Sequence, residues 1–207
     1  MNCFTRKLFA SVDNPDLPIF DEVAPLYSVT NAFDGQYINL DGLMSPTPNF
    51  GQLSFEVHFT KNSKNGTNFI VQFRNGSLYC SLNYMGKLSA PGITTNPMVS
   101  EGDHVIKIDN TTGTTSFDGQ EYLFSKINGT SSSNSVLCVW GMGRNTESSA
   151  SSSLVAGVTS IKKIVINHNG TIHTLLPMKI GGRACLRDEL THIAYYANSG
   201  ELIGLVE

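Results

Sequence analysis

Between Leu53 and Leu82 apolar and polar residues take turns along the chain. Leu53, Phe55, Val57 and Phe59 alternate with Ser54, Glu56, His58 and Thr60. Successive side chains of an extended backbone point to opposite faces, so this run predicts a strand with one dry and one wet face. Phe69, Val71 and Phe73 repeat the pattern, with Gln72 and Arg74 pointing outward. Asn75-Gly76 then supplies the two positive-φ residues that a type I′ hairpin needs before the next run, Ser77 to Leu82. Asn65-Gly66 offers a second, looser turn. The middle of the chain is therefore predicted to be an antiparallel meander with one buried face.

The same pattern extends in both directions. Ala32 to Leu40 reads as a strand turned by Asp41-Gly42. His104 to Asp109, Thr114 to Phe117 and Glu121 to Phe124 read as three more, the last two joined by Asp118-Gly119. Val136 to Trp140 is an apolar strand, and Ser160 to Asn167 pairs with Thr171 to Leu176 around Asn169-Gly170. No segment carries a helical period. Roughly a dozen short strands with turn signals between them predict an all-β fold and exclude a βαβ layout. Two antiparallel sheets closed into a jelly-roll sandwich would protect the edges of so many strands. Residues 1–30 read differently. Pro15, Pro18 and Pro25 interrupt them, while Asp13, Asp16, Asp21 and Glu22 are interspersed with Leu17, Ile19, Phe20 and Val23. They predict an extended N-terminal arm, folded across its own domain (residues 31–207) or docked onto a neighbouring chain.

Composition narrows the function classes. Charged residues make up 15% of the chain, against about 25% in an ordinary globular domain, and Ser, Thr, Asn and Gly stand in their place. A net charge of -3 with scattered Lys and Arg gives no basis for a nucleic-acid partner. No window approaches the roughly 18 apolar residues of a membrane span, so no membrane insertion is expected. The N-terminal apolar patch is too brief for a signal-peptide core, and no small-residue cleavage site follows it. Cys3, Cys80, Cys138 and Cys185 lie far apart, which leaves neither a CxxC redox pair nor a zinc knuckle. Cys80 and Cys138 sit in apolar runs and read as buried free thiols.

Three segments, in order, resemble the concanavalin A-like, laminin-G-like jelly-roll superfamily. They are Phe33-Asp34-Gly35-Gln36-Tyr37-Ile38; Leu53 to Phe59, followed by His104 to Asp109 and Thr115 to Gly119; and Ile161 to Gly170, followed by Leu176-Pro177-Met178, Leu186-Arg187-Asp188 and Tyr196 to Gly200. The third is similar to the closing segment of laminin-G-like domains in bacteriophage tail and virion proteins, although Cys185-Leu186-Arg187-Asp188 stands where those have Gly-Leu-Tyr-Asp. The resemblance covers about residues 30–205. It implies a non-enzymatic virion or tail structural protein that decorates the particle or adheres to host-surface glycans. Its partners would be other virion proteins or sister subunits, reached through the N-terminal arm. Two alternatives share the fold: a secreted, extracellular bacterial carbohydrate-binding module and a glycoside hydrolase.

Glycoside hydrolysis needs two carboxylates facing each other across a sugar, about 5–10 Å apart. Glu56 stands alone on its strand, and the adjacent Asp188 and Glu189 would face opposite ways if extended. The five histidines carry no catalytic motif, so no catalytic residue is expected. No cofactor is required, although Asp34, Asp41, Asp109 and Asp118 are candidate calcium ligands. Three of these four precede Gly, where turn chemistry alone favours Asp. Glycan binding needs an aromatic platform beside amides. Two places offer one: Tyr84 with Asn83 in a long loop, and Trp140 with Arg144 and Asn145. Trp140 also reads as core, being on an apolar strand.

Overall fold

The computed structural model describes residues 22–40, 42–43, 49–73, 78–128, 137–144, 147–149 and 154–206. In chain order the strands are β1 (Val23–Pro25), β2 (Ser28–Thr30), β3 (Ile38–Asn39), β4 (Leu53–Lys61), β5 (Asn68–Phe73) and β6 (Tyr79–Leu82). Next come β7 (Leu88–Ser89), β8 (Gly102–Asp109), β9 (Thr114–Phe117), β10 (Gln120–Leu123), β11 (Leu137–Val139) and β12 (Met142–Arg144). The last six are β13 (Glu147–Ser149), β14 (Thr159–His168), β15 (Thr171–Ile180), β16 (Arg183–Asp188), β17 (Ala194–Tyr195) and β18 (Ile203–Leu205). Among the described residues the only helical element is a single 3-10 turn, Phe50–Gln52. The molecule is all-β.

The strands form two main antiparallel sheets. The larger runs β10-β9-β8-β4-β14-β15-β16-β17, with β1 beside β15, β2 beside β14 and β18 beside β2. The smaller runs β3-β11-β5-β6-β7, and β12 and β13 form a separate two-stranded ribbon. Along β4 burial alternates residue by residue: Leu53, Phe55, Val57 and Phe59 face inward, as their period demands. They share one core with Ile164 and Ile166 of β14, Ile106 and Ile108 of β8, and Ile38, Val71, Leu82, Leu88 and Val139 of the smaller sheet. The result is a sandwich-like pair of layers whose inner faces exclude water.

Asp118-Gly119 and Asn169-Gly170 behave as their sequences require. Their φ values are 48° and 85°, and 53° and 82°, which are the paired positive angles of primed hairpin turns. Asn75-Gly76 lies outside the described residues.

Two expectations are corrected. Ala32 to Leu40 is not one strand, because only Ile38 and Asn39 pair, against β11. Gly35 takes φ 79°, and Asp34 turns aside to accept the Ala156 amide at 2.8 Å. Gln36, fully buried, folds this loop by accepting the Ala32 amide and donating to the carbonyls of Ser199 and Glu201. Together with the Tyr37 amide bonded to Asn198 Oδ1, this ties the Phe33–Tyr37 loop to the C-terminal segment. The second is a correction only in part: residues 22–30 fold across their own domain, one of the two expected placements, but as sheet strands rather than as an extended arm. Val23–Pro25 pairs with Met178–Ile180, and Ser28–Thr30 lies between β14 and β18. Pro25 is compatible with β1 because that strand is short and pairs only with β15. Residues 1–21 of the expected arm lie outside the described residues.

Candidate functional site

The outer face of the smaller sheet owes its composition to a bulge. In the β5–β6 pairing Phe69 faces Ser81 and Val71 faces Cys80, so Ile70 is an extra residue on one side only. Ile70 and Val71 both point into the core, each at 0% exposure. Phe69 is thereby rotated to the outer face and is only half-buried. The alternation in the sequence places Phe69 in the core with Val71, and the bulge overrides it.

Two rows of outward side chains follow from the register. Gln72 lies opposite Tyr79, and Phe69 opposite Ser81, which in turn faces Ser89 on β7. These residues line a depression of about 520 Å³, together with Thr67, Asn83 and Asn96. Its surface is two aromatic rings, three amides and a set of hydroxyls. Tyr79 Oη and Ser89 Oγ are 3.2 Å apart and brace each other. Asn83 uses its side-chain carbonyl to accept the amides of Met85 and Lys87, which leaves its NH2 group as the side chain's remaining donor. Gln72 is only 6% exposed, and its Oε1, itself shut off from solvent, finds no hydrogen-bond donor among the described residues. A buried acceptor left unmet is costly in the free protein. No Asp, Glu, Lys, Arg or His is among the described residues that line the depression.

A second depression, of about 290 Å³, lies on the outer face of the larger sheet, lined by His58, Asp103, His104, Val105, Asp118, Lys162 and Lys163. Here most of the polar groups already serve one another. Lys162 meets Asp103 at 2.5 Å, His104 meets Asp118 at 2.7 Å, and His58 meets Glu56 at 2.5 Å. His104 Nε2 also reaches the Ser100 carbonyl, and its ring stacks near Phe59 and Phe117. The bonds from Lys162 and then Thr60 hold the Asp103 carboxyl below its usual range. This surface reads as a self-neutralising lattice that fastens β4, β8 and β14 together.

The third polar cluster is interior. Asp188, fully buried, receives His173 Nδ1 at 2.9 Å, the Leu190 and Thr191 amides, and Thr191 Oγ1. Burial pushes its pKa up, but the bonds from His173 and Thr191 outweigh this and leave it below the ordinary value. Burial, reinforced by the Asp188 charge, raises the Tyr195 phenol to about 12. With all its bonds directed inward, Asp188 acts as a structural anchor for the end of β16.

The sequence candidates separate accordingly. Asn83 lines the depression, whereas Tyr84 does not line it but stands 69% exposed on the adjoining turn. Trp140 is corrected: it is fully buried, with its Nε1 donating to Thr159 Oγ1 at 3.1 Å, and offers no face to a ligand. Arg144 ends β12 opposite Glu147, and Asn145 lies outside the described residues. Of the candidate calcium ligands, Asp34 caps Ala156, Asp109 accepts from Thr111, and Asp118 from Val105 and His104. Asp41 lies outside the described residues. Among those residues no group of three or more His, Cys, Asp or Glu is placed to hold a metal.

Nothing in the sequence pattern marks Phe69, Gln72 and Tyr79, which make the depression, as binding residues. Their only signal was the outward parity of Gln72. No family model, curated protein or solved structure matches this chain.

Proposed function

We propose that this protein is a non-enzymatic, lectin-like adhesion module that binds glycans on the outer face of its smaller sheet. The observation that carries this reading is the depression itself: Phe69 and Tyr79 beside Gln72, Asn83 and Asn96. Sugars present apolar C–H faces and hydroxyl edges, and rings flanked by amides match both. The volume is that of an ordinary small-ligand site. Hydrolysis would require carboxylates on either side of the bound sugar, and the described lining supplies none.

The finer assignments rest on the sequence resemblance. The two sheets are read as a concanavalin A-like jelly roll of the laminin-G-like type, and the molecule as a bacteriophage virion or tail component. Binding through one shallow face is weak per copy, and many copies on a particle would raise it by avidity. The test is a glycan array probed with the wild-type protein and with Phe69→Ala. Binding that depends on Phe69 supports the proposal. Binding unaffected by the substitution, or turnover of a bound glycan, refutes it.

A further inference from the structure

We propose that the binding face continues past the depression onto a ledge of exposed apolar side chains led by Tyr84, so that the ligand is an oligosaccharide whose next sugar unit stacks on the Tyr84 ring. This deepens the glycan-binding reading and rests on it. Two observations converge on it, and the first is position. Tyr79, Ser81 and Asn83 all line the depression, and Tyr84 and Met85 come next along the chain. Asn96 lines it too, and Met98, two residues further on, bridges to Lys87 across the same turn. A Cβ placed on Gly86 would stand 3.8 Å from Met98 Sδ. Tyr84, Met85 and Met98 therefore gather about one turn beside the depression, at 69%, 41% and 63% exposure. Apolar surface grouped in this way contributes nothing to the core and marks a place of contact.

The second observation is that the turn is built to hold its shape. The Asn83 amide donates to the Lys87 carbonyl at 3.0 Å, and the Gly86 amide to the Asn83 carbonyl at 2.8 Å. Asn83 Oδ1 accepts the Met85 and Lys87 amides as well. The Val99 amide reaches the Gly86 carbonyl at 3.0 Å and the Leu88 amide the Pro97 carbonyl at 2.9 Å, which fastens the Met98 segment alongside. The backbone that presents Tyr84 is thus set before a ligand arrives, and a tyrosine ring has only two torsions to lose on binding. Its π face suits the apolar C–H face of a sugar, and the flexible methionines adapt to what lies beside it.

The experiment measures, by calorimetry, binding of hexose, N-acetylhexosamine and uronate series, each from the monosaccharide to the hexasaccharide. The proteins are wild type, Tyr84→Ala, Tyr84→Phe and Phe69→Ala. Affinity should rise with chain length in wild type and in Tyr84→Phe, which keeps the ring. Tyr84→Ala should lose about three- to tenfold on the longer members and nothing on the shortest member bound, with its thermal midpoint unchanged because the side chain is exposed. Phe69→Ala should weaken every length. Two results overturn the proposal: Tyr84→Ala binding every length as wild type does, or weakening every length equally. In the first case, self-association that Tyr84→Ala abolishes would assign the ledge to a second copy of the chain. Either result, if Phe69→Ala still abolishes binding, leaves the glycan-binding reading standing without the ledge. Failure to bind any member removes both.

Discussion

Replacing Thr159 by valine tests the polar relay that joins the two sheets. Thr159 is fully buried on β14. Its Oγ1 accepts the indole N–H of Trp140 at 3.1 Å and donates to Asn68 Oδ1 at 2.9 Å, while Asn68 Nδ2 reaches the Val155 carbonyl at 3.2 Å. Valine has nearly the same volume, so it opens no cavity. It strands one donor on Trp140 and one acceptor on Asn68, both at 0% exposure. Each stranded group costs about 1–3 kcal/mol, which gives a loss of about 2–6 kcal/mol. Thr159→Ser keeps the hydroxyl and removes one methyl, for about 1 kcal/mol. At about 2–4 °C per kcal/mol for a chain of this size, Thr159→Val should melt roughly 4–24 °C below wild type and clearly below Thr159→Ser. The chain has one tryptophan, and it is the residue under test, so urea titrations read at its emission report directly on the site. Equal stability of the valine and serine variants would refute the relay as a source of stability.

Further expectations concern the interior cluster, the turns and the thiols. Asp188→Asn should lose about 3 kcal/mol at pH 7, because it breaks a buried hydrogen-bonded pair. The folded pKa of Asp188 lies below the unfolded value, so its contribution is complete above about pH 4 and lost as the pH falls through the folded value. Acid denaturation curves of wild type and Asp188→Asn should therefore converge at the low end, and a constant gap would contradict this. Gly113→Ala should destabilise by about 1–3 kcal/mol, since Gly113 has φ 75° and an added Cβ would stand 2.6 Å from the Phe124 carbonyl oxygen; an unchanged thermal midpoint would refute it. Cys80, Cys138 and Cys185 are buried thiols outside any disulfide. Burial raises the Cys80 thiol and pushes Cys185 up to about 11. All three should resist a thiol reagent until denaturant is added, and rapid native labelling of any of them would be inconsistent with that packing.

The sequence announced features whose cause is local. Period-2 alternation located β4 and its inward face, and Asp118-Gly119 and Asn169-Gly170 marked their hairpins because a positive φ pair is a property of the dipeptide. It did not announce features set by distant partners. Ile70 becomes a bulge only through its pairing with β6, and that single extra residue moves Phe69 from the expected core to the candidate binding face. Pro25 read as a break until β15 supplied a partner for β1. Gln36 and Asp34 looked like members of a strand because their bonds run to Ser199, Glu201 and Ala156, more than a hundred residues away. Trp140 carried the aromatic signal of a sugar platform, but Thr159 and Asn68 hold it in the core.

The most direct measurement is a two-dimensional amide NMR titration with an oligosaccharide chosen from the array. Shifts should cluster on Phe69, Gln72, Tyr79, Ser81 and Ser89, with Glu56, His58 and Lys107 on the opposite outer face unmoved. Shifts concentrated on that opposite face, or spread evenly over both, would contradict the assignment of the site.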